Sequence, residues 1–417
     1  LRLNYIDPGA LAIYKKNGTK RRSEVNSNMD VRKLILVLHR WVGLVAALVL
    51  LAVGFSAALL VFERPIGRRL NHHLVEVTPA GARLPLKEIT RSLGQVYPQY
   101  HVAGWTLPQQ PNDAAAVFLE MNRSVKPSAT SDEDDDDDDA QGLELTVNPY
   151  TGEVLGDLSK ANGLMGSVHR FHTHFLAGDV GSAIVGWSAV SLLVLNLTGI
   201  ILWWRRKIGR FRWSFTGAAF HFNMHQAVGI YAWAFLMVLS LTGIALHWEG
   251  ASGRLADRLT GSPPPAKMLP ADPVQAGASP LDPDQLVAIA QKNVPGARVT
   301  VLQMATTPKS PVRIIMKYPE DHTPAGRTQV FLDGYSGKVR MLTDARTAPL
   351  GFKLTRLWNR QYHTGDIFGW PTQMLALIFS LALVVMAITG PMIWYKRKRT
   401  PQTARAAAGP DTRVPNA

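Results

Sequence analysis

Four long apolar runs dominate what this chain can fold into. They cover residues 34–62, 183–204, 227–248 and 372–395. A helix rises about 1.5 Å per residue, so each run can cross a hydrocarbon core of roughly 30 Å. The first run carries only His39 and Arg40 as strongly polar residues near its start, and it is too long for a signal peptide. The chain therefore reads as an α-helical integral membrane protein with four transmembrane helices. The segments 63–182 and 249–371 read as two soluble α+β modules between the spans.

The net charge of +14 would suggest nucleic acid if the bases were scattered. They are grouped instead. Lys15, Lys16, Lys20, Arg21, Arg22, Arg32 and Lys33 precede the first run; Arg205, Arg206, Lys207, Arg210 and Arg212 lie between the second and third; Lys396, Arg397, Lys398 and Arg399 follow the fourth. If every run crosses, all three groups fall on one side, which the positive-inside rule makes cytoplasmic. This predicts a cytoplasmic N-terminal segment (1–33), a basic cytoplasmic loop (205–224) and a cytoplasmic tail (396–417). The modules are then extracytoplasmic. Nucleic acid is not an expected partner; the lipid bilayer is. The 28 residues before Met29 read as an extension or a start-site artefact.

No cysteine is present, which excludes disulfides, iron–sulfur clusters and covalent c-type haem. The acidic run from Asp132 to Asp139 has no ligand spacing and reads as a solvated insertion. No phosphate loop, dinucleotide fingerprint or nucleophile elbow occurs, so a nicotinamide or flavin donor would sit on another protein.

The chain repeats itself. At an offset of 186, His39-Arg40-Trp41-Val42-Gly43 meets His225-Gln226-Ala227-Val228-Gly229, and Ser56, Phe62 and Glu63 meet Thr242, Trp248 and Glu249. At an offset of 191, Thr198-Gly199 meets Thr389-Gly390, Trp203 meets Trp394, and His172 meets His363. The modules echo one another as well. Helical stretches are expected at 86–96 and 284–293, and strands at 115–121 and 143–147 in one module and 312–318 and 328–332 in the other. Each module has a turn of one kind, Asn148-Pro149-Tyr150-Thr151-Gly152 and Asp333-Gly334-Tyr335-Ser336-Gly337. Two crossings per copy make the repeat parallel, with a pseudo-two-fold axis along the membrane normal.

The duplication ranks the histidines. His39 and His225 border the cytoplasmic ends of their helices, and His172 and His363 precede helices at the outer face. An unpaired ring in hydrocarbon is unfavourable, so such residues mark sites. Imidazoles related by a two-fold axis approach a flat group on that axis from opposite faces, and imidazole is a normal axial ligand of haem iron. Two matched pairs thus suggest two b-type haems. The plainer reading is interhelical hydrogen bonding. His174, His169, His247 and His221 are weaker candidates: His169 and His174 crowd His172, His221 lies one turn before His225, and His247 ends the third run. His72, His73, His101 and His322 lie in soluble segments.

The same residues resemble the PepSY-associated transmembrane family. The likeness rests on His39 to Gly43, on His172 with Ala177-Gly178-Asp179-Val180-Gly181, on His225 to Gly229, on Tyr362-His363-Thr364-Gly365, and on the turns at Tyr150-Thr151-Gly152 and Tyr335-Ser336-Gly337. It extends over roughly residues 31–400. That family includes inner-membrane ferrisiderophore reductases with periplasmic PepSY modules. The resemblance implies two b-type haems held by His39, His225, His172 and His363, and an oxidoreductase that reduces periplasmic ferric siderophore with electrons from a cytoplasmic or membrane donor. A non-enzymatic protein binding a protease or envelope partner, and a metal or proton transporter, are the alternatives from other classes.

Overall fold

The computed structural model describes residues 8–122, 142–161, 163–204, 219–263, 267–274, 277–321 and 323–407. The acidic run, most of the basic loop after Trp204 and His322 lie outside the described residues. The chain divides into two compact units. One holds residues 1–57, 177–243 and 378–417, and the other holds residues 58–176 and 244–377.

The first unit is helical. It is built on α1 (Pro8–Leu60), α4 (Gly178–Trp204), α5 (Phe220–His247) and α8 (Trp370–Ala407). Each contains an apolar stretch of 27 to 30 residues, enough to cross a membrane. Large apolar side chains such as Val45, Leu48 and Tyr231 point outward, as expected where lipid is the solvent. The interior is made of smaller groups around Ala46, Leu50, Leu192, Ala232, Leu236 and Leu383. Three of its buried hydroxyls satisfy themselves locally: those of Ser56, Ser188 and Ser240 each donate to a carbonyl one turn back. Gly54 lets α1 approach α8 closely, since a Cβ there would stand 3.2 Å from the Ser380 carbonyl oxygen.

The second unit is built on one antiparallel sheet. Its strands are β1 (Tyr100–Thr106), β2 (Ala115–Met121), β3 (Gly142–Val147), β4 (Val154–Asp157), β5 (Arg298–Gln303), β6 (Pro311–Lys317), β7 (Thr328–Asp333) and β8 (Val339–Thr343). Their order is β4-β3-β2-β1-β5-β6-β7-β8. The strands of the two expected modules lie in this one sheet. Strand β1 pairs directly with β5 through Gly104–Gln303, Trp105–Leu302 and Thr106–Val301, so that neither half leaves that edge bare. A Cβ at Gly104 would lie 2.9 Å from the Leu302 carbonyl, which makes glycine necessary at this central pair.

The two halves match strand by strand. Adding 197 to the numbers of β1 and β2 gives those of β5 and β6: Trp105–Val117 becomes Leu302–Ile314, and the irregularity between Val102 and Gly104 recurs between Val299 and Val301. Adding 185 carries β3 and β4 to β7 and β8, including the shift at Thr146/Val147, which recurs at Phe331/Leu332.

Two helices, α2 (Leu86–Val96) and α6 (Pro283–Asn293), bury Ile89, Leu93, Leu286 and Ala290 against Trp105, Val117, Leu302, Ile314 and Val330. Burying such side chains stabilises the unit by about 1.5–3 kcal/mol each. Helix α6 starts with a capping box, Asp282 with Gln285, and with Pro283 in the first turn. The cap position of α2 is Pro85, which has no acceptor side chain. Its orphan amides at Leu86 and Lys87 donate instead to the Asp284 carboxylate of α6, at 3.0 and 2.9 Å. Each half also has the expected turn. Asn148 and Asp333 accept from the amides of Tyr150 and Tyr335 at 2.9 and 3.0 Å, with Gly152 and Gly337 at φ +77° and +71°.

Candidate functional site

In the helical unit, His39 on α1 faces His225 on α5 with ring centroids 6.4 Å apart and planes at 86°. The neighbouring helices hold both rings in one manner. His39 Nδ1 lies 2.8 Å from Thr198 Oγ1 of α4, and His225 Nδ1 lies 2.9 Å from Thr389 Oγ1 of α8. A hydroxyl has one proton, and each threonine already donates its own to a carbonyl one turn back, Val194 at 2.6 Å and Val385 at 2.8 Å. With the hydroxyl proton on the carbonyl, each threonine oxygen is free to accept from Nδ1–H, the tautomer that leaves the lone pair on Nε2. The glycine after each threonine lies beside the ring. A Cβ at Gly199 would stand 3.4 Å from His39 Cε1, and one at Gly390 would stand 3.6 Å from His225 Cε1. The repeated Thr-Gly pair is thus a cradle for an imidazole of another helix.

In the other unit, His172 faces His363, again with centroids 6.4 Å apart, the planes at 52°. The surrounding backbone is of a different kind. His172 sits near the end of α3 (Gly163–His174), after which Phe175 and Leu176 adopt φ of 47° and 56°. Non-glycine residues rarely enter that region, and such outliers gather at functional sites. His363 lies in the short helix α7 (Asn359–Thr364), preceded by a π-helical turn, Lys353–Leu357. It is followed by Gly365 at φ +81°, where a Cβ would lie 2.7 Å from the Thr372 carbonyl. Asp366 locks this corner. It accepts from Thr364 at 3.0 Å and Gln373 at 2.7 Å and pairs with Arg64 at 3.7 Å.

The other candidate histidines fall outside these pairs. His174 Nδ1 is 2.8 Å from the Thr173 hydroxyl, and the His169 carbonyl accepts from Thr173. Of the three crowded histidines, His172 is the one turned to His363. His247 packs edge-on against Trp248 at 4.5 Å. His221 packs against Phe220 at 5.2 Å, and its buried Nδ1 has no hydrogen-bond partner among the described residues.

The spacing of the pairs can be tested against chemistry. A metal–imidazole bond is about 2.0 Å. A five-membered ring with bonds near 1.35 Å has a radius of about 1.15 Å. Two imidazoles sharing one metal would stand about 6.3 Å apart, a separation compatible with both pairs and also with plain ring packing, since Trp358 and Tyr362 are equally far apart. Among the described residues, no three His, Cys, Asp or Glu side chains converge on a point, so a bare ion would lack ligands. A planar group that brings its own four equatorial donors needs only two axial ones. The residues fit haem. Sequence reasoning noted Thr198 and Thr389 only as repeat anchors; their recurrence beside the histidines was the available signal.

Four membrane-length helices and an antiparallel sheet make this a membrane protein with a PepSY-like region. The chain belongs to the family described as the PepSY-associated TM region, whose model matches residues 36–397. No curated protein matches it.

Proposed function

We propose that the chain is a dihaem b reductase of the bacterial inner membrane that reduces ferric siderophore on the periplasmic side. The observation that carries this reading is that each of the two repeat-matched histidine pairs brings its rings face to face across two elements, 6.4 Å between centroids. His39 and His225 would hold one haem through Nε2, and His172 and His363 the other. When bound, haem supplies a one-electron couple. The protein's part is to orient the imidazoles, keep the inner pair among apolar helices and fix the outer pair on a stiff corner. Thr198 and Thr389 hold the inner rings in one tautomer and strengthen their basicity. The substrate is Fe(III) in a shell of hard oxygen donors. One added electron gives a softer, less charged ion that leaves the chelator more readily.

The clusters of Lys and Arg flanking the spans support cytoplasmic termini, where the electron donor would dock, and a periplasmic sheet. The recurrence of strand registers at constant offsets supports an internal duplication with a parallel pseudo-two-fold relation between the copies.

The test is an optical spectrum of detergent-purified protein, oxidised and dithionite-reduced, with haem counted as the pyridine haemochrome. Two b-type haems per chain are expected, together with reoxidation of the reduced protein by a ferric siderophore. Colourless protein from cells replete in haem would refute the proposal.

A further inference from the structure

The helix Glu249–Thr260 follows α5 with Trp248 alone between them, and the Ser252 amide donates to the Trp248 carbonyl at 2.9 Å, so no loop separates the two. Its residues divide into two sets. Ser252, Gly253, Ala256, Asp257 and Thr260 are turned inward, whereas Ala251, Arg254, Leu255, Arg258 and Leu259 are exposed. At about 100° per residue these sets are opposite faces of one helix. The inward face packs on the segment 350–356. Asp257 pairs there with Arg356 at 3.4 Å, and a Cβ at Gly351 would stand 2.7 Å from both Asp257 Oδ1 and Thr260 Oγ1.

The exposed face is poorly suited to water. Leu255 and Leu259, one turn apart, are 58% and 78% exposed, and Leu350 on the packed segment is 53% exposed. A lone exposed leucine is ordinary, but a stripe of them marks a contact surface. Arg254 and Arg258 form the adjoining stripe, and from Ala251 onward the exposed set contains no carboxylate. Neither arginine has a side-chain partner among the described residues. The corresponding helix after the first span, Glu63–Leu70, behaves differently. Its Arg68 pairs with Glu76 at 2.9 Å and Asp113 at 3.1 Å, and its Arg64 with Asp366 at 3.7 Å. One copy of the repeat answers these arginines with protein acids; the other leaves them to an outside partner.

We propose that Glu249–Thr260 is an interfacial helix that docks on the leaflet where α5 leaves the bilayer, with Leu255 and Leu259 among the first acyl carbons and Arg254 and Arg258 on lipid phosphates. Two observations select lipid as the occupant: the helix continues directly from a membrane span, and its exposed charge is all of the sign that complements phosphate. Helices of this kind bury their apolar face roughly 5–10 Å into the headgroup boundary. Arginine can lay its stem along apolar surface while its head stays with the phosphates. Trp248, at the join, is of a residue type that favours this layer. The surface needs no haem, so its test is separate from the reductase reading.

The chain contains no cysteine, so single substitutions can be spin-labelled without background. Leu255→Cys and Leu259→Cys would be labelled in full-length protein in vesicles of phosphatidylcholine and phosphatidylglycerol, with Tyr231→Cys on the outward surface of α5 as the marker for lipid. Electron paramagnetic resonance would read collision with oxygen, which concentrates in lipid, and with a nickel chelate, which stays in water. Labels at 255 and 259 are expected to be severalfold less open to nickel than a free aqueous nitroxide, open to oxygen, and shallower than the label at 231. Arg254→Glu with Arg258→Glu should raise nickel access at 259 severalfold. Nickel access equal to that of the aqueous probe would overturn the proposal. Shielding from both reagents would overturn it as well, and loss of that shielding on dilution with lipid would give the face to a second copy of the chain. Unchanged nickel access in the arginine variant would overturn the phosphate contacts. Should Leu259→Cys not fold, Leu255→Cys carries the same reading.

Discussion

The two histidine pairs share one spacing and are held by opposite strategies. His39 and His225 sit on long regular helices, and each ring rests in a Thr-Gly notch of a neighbouring helix. His172 and His363 sit on short, broken elements: a helix end with left-handed Phe175 and Leu176, a π-helical turn, and a glycine corner tied by Asp366. In lipid, backbone groups must be satisfied within the helix, so precision there has to come from side chains. Where backbone is free to bend, precision comes from its conformation. One ring separation can thus be reached from side-chain chemistry or from chain geometry, and the two should fail differently.

The largest expected effect tests whether the pairs are separate sites. His39→Ala and His363→Ala should each remove about half of the haem in the pyridine haemochrome assay, and the double variant nearly all of it. Loss of everything in one single variant would mean that the pairs form one site. Next is the corner. Gly365→Ala forces a β-carbon into the left-handed region against the Thr372 carbonyl. It should destabilise the outer site by about 1–3 kcal/mol and lower its haem retention. Gly199→Ala puts its β-carbon at ordinary contact distance from His39 and should keep full haem content. Equal damage from both would erase the distinction.

A subtler change concerns the threonines. Thr198→Val leaves the His39 Nδ1–H without its acceptor, making the imidazole a poorer donor, so one midpoint potential should rise by up to about 60 mV while the other stays fixed. Potentiometric titration would read it. The smallest effect is acid sensitivity, confined to the sheet. Burial disfavours a charged Asp333, but hydrogen bonds from the amides of Ser336, Tyr335 and Asp272 outweigh it and hold its carboxyl below the usual range. The folded pKa thus lies below the unfolded one, near 3.9. The contribution is complete above that unfolded value and is lost as pH falls through the lower folded one. Thermal melts of wild type and Asp333→Asn should therefore differ at neutral pH and converge in acid.

The same contrast explains what the sequence revealed. The four spans were legible because lipid demands apolar runs, and the inner pair because helical periodicity keeps repeat-matched residues on matched faces. Thr198 and Thr389 stayed hidden in their role, since a Thr-Gly step also serves plain helix packing. At the outer pair the 191-residue offset singled out His172, but the left-handed break at Phe175 and Leu176 had no proline to announce it. Helices 86–96 and 284–293 were visible from their amphipathic pattern, and α2 and α6 lie there. Strands β1 and β5 were not foreseen. One contains a glycine and the other mixes Thr300 and Gln303 into a six-residue run, and their pairing joins residues nearly 200 positions apart.

That central seam has a consequence for ancestry. On the proposed duplication, a half-length forerunner would have presented an open β1 border next to a glycine, and a second copy of itself was the natural closure. Fusion of the two genes would have joined the copies in one polypeptide, freeing each half to diverge.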